Sequence, residues 1–431
     1  MNRFSAFLLL LLPWHALSGQ SALWDDYVSA RQNNTHSILR DYSHAGYHKS
    51  EVGLPKVDAS THSVFNVTDF GAVPNDGLSD RQAIVDAIEA ASNNTPAIVY
   101  IPEGRFRINE PSDIGQPDIV IRSDSVVLMG AGIAKTELYM DQALLDEKSG
   151  VIFFASKRHE RYYFHSSSAV RAVVTQAPAH HGTFSLEVDQ TDSLEVGDVV
   201  FITADLNVLT QAGRDYFLPH AVPKGVVRQH GRNNSRITEL HTIVAIENNH
   251  VIFGEPIHMD LAHMENIFLR EVPHFIRESG IQDMTIRANN REQFKHHAGS
   301  TFSTKFNPVR FDYAFDCWIN NVRFKDFGTA VTITNSMFCT LSNMSFEGNT
   351  GHFSSKIQTS YGILSAFHRE NSPCHHGYGA SHSASNSVFY RGNQYLGIEA
   401  HGPFPRAALY DLNKGGFTTR GGGSPKYPSH G

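Results

Sequence analysis

Residues 65–91 read Phe-Asn-Val-Thr-Asp-Phe-Gly-Ala-Val-Pro-Asn-Asp-Gly-Leu-Ser-Asp-Arg-Gln-Ala-Ile-Val-Asp-Ala-Ile-Glu-Ala-Ala, and residues 97–108 read Ala-Ile-Val-Tyr-Ile-Pro-Glu-Gly-Arg-Phe-Arg-Ile. The pattern predicts strand, turn, helix, strand, turn, strand. Asp69 and Gly71 close the first strand, and Asn75-Asp76-Gly77 is a turn signal. Ser79 and Asp80 are candidate helix N-caps. Ala83, Ile84, Ala87, Ile88 and Ala91 recur at helical spacing and make one apolar stripe. Ala97–Ile101 is a short apolar strand stopped by Pro102 and Gly104. A helix of this kind seals one end of a large apolar core.

Downstream, the core shows itself as a repeat. Cys317-Trp-Ile-Asn-Asn-Val-Arg-Phe aligns with Cys339-Thr-Leu-Ser-Asn-Met-Ser-Phe, and Ile281-Gln-Asp-Met-Thr-Ile aligns with both. The columns are Ile281/Ile319/Leu341, Asp283/Asn321/Asn343, Met284/Val322/Met344 and Ile286/Phe324/Phe346. Asn386-Ser-Val-Phe echoes Asn335-Ser-Met-Phe. Short strands at a period of about 20–25 residues mean stacked coils, each burying its inward side chains only under a neighbour. A column of Asn and Asp fits side-chain hydrogen bonds along the stack. Cys317 and Cys339 share a column, so they read as two buried thiols or, alternatively, a disulfide between coils. The third cysteine is Cys374, and no pair has zinc-ligand spacing.

Around this body the chain divides as follows. Residues 1–19 read as a signal peptide, with Arg3, an apolar run Phe4–Leu12 and Ala16-Leu17-Ser18 as a cleavage site. The protein is therefore expected to be secreted or periplasmic, with no membrane anchor. Residues 20–63 read as an arm laid over the domain, and 64–164 as the first coils with the capping helix. Residues 165–262 read as a small antiparallel β insertion, carrying a long Arg-, Gly- and His-rich loop at 205–236. Residues 263–420 hold the remaining coils. The Gly-rich end at 421–431 offers nothing to cover the last coil's strand edge. The expectation is that the domain continues beyond it or is truncated. A net charge of −7 gives no global field for nucleic acid. Oligomeric state is not addressed by these features.

The run Asp69-Phe-Gly-Ala, Asn75-Asp-Gly, Asp80, Ala83-Ile, Ala87-Ile and Val99-Tyr-Ile-Pro-Glu-Gly-Arg-Phe-Arg-Ile resembles the N-terminal signature of the pectate lyase superfamily. Leu128-x-Gly130-x-Gly132-x3-Thr136-x-Leu138 is similar to the strand that follows it there. The resemblance implies an all-β fold, a right-handed parallel β-helix with an N-terminal capping helix. It implies less about the reaction, because lyases, glycoside hydrolases, epimerases and phage tailspikes share the signature.

The residues themselves favour chemistry on an acidic polysaccharide. Hydrolysis needs paired carboxylates. The Asn-Thr-Asp, Asp-Asp and Gly-His-Gly motifs of the pectin-hydrolase branch are missing from the coils, leaving only Glu399 with Glu370 or Asp326. β-Elimination on a uronate needs a cation to neutralise the carboxylate and a base at C5. That cation is Arg, Lys or Ca²⁺, although no Ca²⁺ site is identified. His368, Arg369, His382 and Lys305 are the catalytic candidates, with Arg369 or Lys305 as the cation and His368 or His382 as base or acid. Arg310, Tyr313, His376, Glu399 and His401 are the candidates for substrate binding. Pairing Ile363–His368 with Ala330–Asn335 places His368 beside Asn335 on the rim of a groove. A metal site from His375, His376 and His382 lacks a supporting carboxylate or Cys at ligand spacing. The leading expectation is a polysaccharide lyase, with a glycoside hydrolase or a non-catalytic carbohydrate-binding protein as the alternatives.

Overall fold

A computed structural model describes residues 21–33, 35, 37, 39–111, 119–143, 151–155, 168–206, 236–272, 274–295, 306–395, 398, 400 and 405–416. The proposed signal peptide, the 421–431 end, Lys305, Glu399 and His401 lie outside the described residues. The chain forms two units, 1–40 and 41–431. The first contains the helix Ala22–Asn33.

The second unit is a right-handed parallel β-helix. It begins with Ser63–Asn66 beside Ala97–Ile101, which pairs in turn with Val126–Gly130. The helix Arg81–Ser92 closes this end. Its five stripe residues are all buried and join one core with Val67, Val99 and Ile121. Burying Ile84 and Ile88 alone is worth roughly 1.5–3 kcal/mol each. Asp80 stands at the N-cap position but does not cap. Its carboxylate instead accepts from the Val73 and Arg107 amides at 2.8 and 2.9 Å, tying the preceding turn to the strand Gly104–Asn109.

From there the coils stack in the register the columns predicted: Ile281 on Ile319 on Leu341, Met284 on Val322, and Ile286 on Phe324 on Phe346. Each coil folds at the Asp/Asn column, where Asp283, Asn321 and Asn343 take left-handed backbone (φ 61°, 54° and 53°). Asn and Asp tolerate this conformation because their short polar side chains bond locally. The Asn321 amide donates to Asp283 at 2.6 Å, whereas Asn343 reaches sideways to Asn320 at 3.0 Å. Cys317 and Cys339 are free, buried thiols in adjacent coils. The Asn335/Asn386 echo is not a coil register. Asn386 falls at a different corner, one residue past Ser385, which bridges Tyr361; Asn335 donates its amide to Gln358 O on another wall.

Two sheets carry the outer surface. One has six parallel strands: Ile119–Ile121, Ile152–Ala155, Val309–Asp312, Thr329–Thr334, Phe353–Gln358 and Tyr378–Ser381. The other has thirteen strands and bends at the Asp/Asn corner. The antiparallel insertion closes into a six-stranded barrel of Val170–Gln176, Ser185–Val188, Val199–Leu206, Arg236–Glu247, His250–Phe253 and Met264–Glu271. It therefore runs past the predicted boundary at 262. Met264–Glu271 looks like another coil strand in sequence, but it pairs antiparallel on both sides and closes the barrel.

The barrel rests on an aromatic patch of the coils, where Phe201 and Leu240 pack with Tyr313, Phe315, Phe338 and Tyr361. Beside it runs a buried ionic network. Glu239 accepts from His241 at 2.9 Å and from Arg406 Nε at 2.9 Å, while His241 Nδ1 lies 3.5 Å from Glu255. Lys49 reaches Glu255 at 3.4 Å. Residues 45–50 lie across the coils here. Tyr47 packs edge-on against Trp318 and donates to Glu278 at 2.5 Å, and the Gly46 amide donates to Gly362 O at 2.9 Å.

Candidate functional site

On the six-stranded sheet, alternation sends Phe311, Ile333 and Ile357 into the core, so Arg310, Thr332 and Lys356 face outward. They stand in one row, Arg310 beside Thr332 beside Lys356. A parallel row holds Asp312, Thr334, Gln358 and Ser381. These outward residues are largely withdrawn from water: Arg310 is 6% exposed, Asp312 3% and Thr334 1%. Arg310 pairs with Asp312 at 3.2 Å and lies 3.4 Å from Thr334 Oγ1. Its guanidinium also sits 5.7 Å from the Phe153 ring.

Lys356 is two coils from Arg310, roughly 10 Å along the stack, with its ammonium 5.0 Å from the Phe353 ring. Burial, reinforced by the like charge of Arg310, pushes its amine down to about 8. A lysine depressed by both effects, on an outward polar face beside a guanidinium, is poised to exchange a proton near neutral pH. Sequence reasoning passed over Lys356. The signal for it was its alignment with Arg310 across two coils, readable only once the coil lengths are known.

Four predicted site residues flank this face. Arg310 is in it. Tyr313 follows Asp312 at the strand end, buried, with left-handed backbone (φ 53°) and a phenol pushed up by burial and by Asp312. His382 ends the strand Tyr378–Ser381, with Nδ1 2.6 Å from Ser381 Oγ and 3.1 Å from Gln358 Nε2. His376 precedes that strand and packs against His352 and Phe353, with ring centres 4.7 and 4.8 Å away.

His368 and Arg369 lie elsewhere. The segment Leu364–Ala366 pairs with Thr340–Ser342 and Ser387–Tyr390 in the thirteen-stranded sheet, not with 330–335. His368 therefore does not neighbour Asn335. It is 1% exposed and packs between Phe346 and Tyr378 inside the coil. Its Nε2 lies 2.5 Å from Ser365 Oγ, and burial pushes its pKa down to about 3. It is a buried, neutral histidine in an aromatic stack. Arg369 is exposed, on a different wall from Lys356.

Of the two carboxylates that could partner Glu399, Glu370 is buried, accepting from Ser354 Oγ at 2.6 Å and the Tyr395 amide at 3.0 Å, and Asp326 is tied to Arg287 at 2.9 Å. Among the described residues, one grouping has metal-ligand proximity. It is His48, Glu278 and Asp316, with ligand atoms within 4.8 Å of one another. These groups are engaged in holding residues 45–50 to the coils, with His48 Nε2 2.7 Å from Glu278 and the His48 amide donating to Asp316 at 2.8 Å.

A profile of the family "Rhamnogalacturonase A/epimerase, pectate lyase-like" matches residues 64–176, the capped end of the coils and the start of the barrel. The resemblance to that family is confined to this stretch, while the parallel coils run on well beyond it. This β-helix is 40% identical over 73 residues to mannuronan C5-epimerase AlgE3 of Azotobacter vinelandii, covering 17% of this chain and 4% of that one. It is 31% identical over 98 residues to alginate lyase 7 of the same organism, covering 22% and 11%. The matches span 4–13% of the length of these curated relatives. Among solved structures it is similar to the Gp54 tailspike of Acinetobacter baumannii bacteriophage AP22, in complex with capsular saccharide. That similarity has 10% identity, 84% coverage of this chain, 54% of that one and a TM-score of 0.49. No helix among the described residues is long and apolar enough to cross a membrane.

Proposed function

We propose that this protein is a secreted enzyme that cleaves a uronate-containing polysaccharide by β-elimination on the six-stranded face. The observation that carries the proposal is the outward row of Arg310 and a Lys356 whose amine is depressed to about 8. In this scheme Arg310 neutralises the uronate carboxylate, which acidifies the adjacent C5 proton. The neutral Lys356 amine takes that proton. The C5 electron pair forms the C4=C5 double bond as the C4–O bond breaks, and the Lys356 ammonium returns the proton to the departing oxygen. His382 stands at the edge of the sugar path, Tyr313 and His376 are buried behind it, and Lys305 remains a candidate second cation. The sequence-level lyase reading is kept, with its base moved from His368 or His382 to Lys356.

C5 epimerisation is the second reading, favoured by the names of the matched mannuronan epimerases. It shares the first step and differs only in returning the proton to the opposite face of C5. One experiment separates the readings. The protein is incubated with polymannuronate, polygalacturonate and a glucuronate polymer in deuterated water. Ultraviolet absorbance then reports unsaturated ends, and mass spectrometry reports deuterium at C5. New absorbance establishes the lyase. Deuterium without chain shortening establishes the epimerase. Neither signal with any of the three polymers sinks both.

A further inference from the structure

We infer that the bent thirteen-stranded sheet carries a second, non-catalytic binding groove for an anionic polysaccharide chain. Coil register places Arg323, Ser345, Arg369, Asn393 and Lys414 in one outward row. The corner row beside it is Asn321, Asn343, Phe367, Arg391 and Leu412, all in left-handed backbone. Together they line a groove of about 900 Å³ running across five coils. Four cationic side chains face one carboxylate there, Glu347, in a chain whose net charge is −7. Glu347 is already shared between Arg323 at 3.1 Å and Lys325 at 3.6 Å. Arg369 and Lys414 have no carboxylate partner among the described residues, and Arg391 rests on the Tyr390 ring at 5.1 Å. Arg369 and Lys414 stand two coils apart, roughly 10 Å, with Arg391 on the coil between them, so the cations form a line of charge rather than a point site.

Two further features select a saccharide as the occupant. The groove supplies Asn side chains at positions 321, 343, 371 and 393, which bond hydroxyls as donors and acceptors. Phe367, 44% exposed, offers a flat apolar face braced edge-on by Tyr390, with ring centres 5.6 Å apart. A nucleic acid would need a wider positive field and several stacking rings. The groove and Lys356 lie on different walls of the prism with the packed core between them, so one sugar cannot touch both. A long chain held here raises the effective concentration of its other residues at the six-stranded face. The inference shares the acidic-polymer reading of the proposed function but not its chemistry at Lys356.

The test uses full-length protein carrying Lys356→Ala, so that bound polymer is not consumed, and measures affinity for polymannuronate and polygalacturonate by calorimetry at two salt concentrations. The groove predicts that adding Arg369→Glu and Lys414→Glu weakens binding at least about tenfold and flattens the salt dependence. Arg369→Gln with Lys414→Gln gives a smaller loss in the same direction. Both variants keep the parent's melting temperature, since these side chains bear no fold contacts. Unchanged affinity in the charge-reversed protein overturns the groove, as does equal loss of binding to neutral dextran or to duplex DNA. If binding falls as expected while the native protein yields neither unsaturated ends nor C5 exchange, the groove stands and the proposed reaction falls.

Discussion

Replacing Lys356 with Ala tests the proposed base most directly. With its amine at about 8, roughly one molecule in ten carries neutral Lys356 at pH 7. A lysine near its ordinary pKa of about 10.4 would be neutral in fewer than about one in a thousand. The fold thus raises the reactive form roughly 200-fold. Turnover should climb about tenfold per pH unit up to pH 8 and level off above it. Removing the base should lower kcat by roughly 10²–10⁴. Lys356→Arg should fail as badly, because a guanidinium keeps its proton. Arg310→Gln should weaken polymer binding and also move the rise of the profile to higher pH, since the like charge that helps keep the amine neutral is gone. The assay is the absorbance of unsaturated uronate ends across pH 5–10. Retention of activity within about tenfold in Lys356→Ala, or an alkaline rise still centred near 8 in that variant, would refute the assignment.

Glu239→Gln should cost roughly 3–5 kcal/mol in chemical denaturation, because it removes the buried carboxylate that the largely buried Arg406 and the buried His241 share. A near-neutral result would show that the network is dispensable. For His241, burial works against the charge, but Glu239 and Glu255 outweigh it and raise the pKa above 6.5. Its stabilisation is full below about pH 6.5 and fades as pH rises through the folded value. The stability gap between native protein and His241→Gln should therefore narrow on the alkaline side; a gap that widens contradicts this. Gly280→Ala would bring a methyl within 2.4 Å of the Trp318 ring, costing roughly 1–3 kcal/mol in thermal unfolding despite an ordinary backbone. All three cysteines are buried thiols. A thiol reagent should find none in native protein and three after denaturation, whereas a count of one would mean that Cys317 and Cys339 are bonded.

The capping unit and coil columns were legible because each rests on local periodicity. Ala83 to Ala91 follow a helical period, and Ile319/Leu341 and Phe324/Phe346 recur at 22 residues with their corner Asn between them. The candidate site was legible only in part, through Arg310, Tyr313, His376 and His382, for a geometric reason. A coil has several walls, and every wall alternates apolar and polar residues alike. Ile363–His368 thus fits Ala330–Asn335 by pattern while lying one wall away. Arg310 and Lys356 are equivalent only because the intervening coils measure 22 and 24 residues, and the sequence repeat marks only the first of these lengths. Histidine frequency misled in the same way, since a neutral imidazole such as His368 fills an aromatic core stack as well as it serves a reaction.

The antiparallel barrel begins at Val170 and ends at Glu271, and Val170 pairs directly with Arg270. Its entry and exit are therefore neighbours, about 5 Å apart, so the coil path that it interrupts could be rejoined by a short turn. In topology it is an insertion whose two ends meet. What anchors it is a landing pad of Phe315, Phe338 and Tyr361 plus one arginine, Arg406. A β-helix with such a pad could exchange this barrel for another closed module, changing what overhangs its surface without altering a single coil.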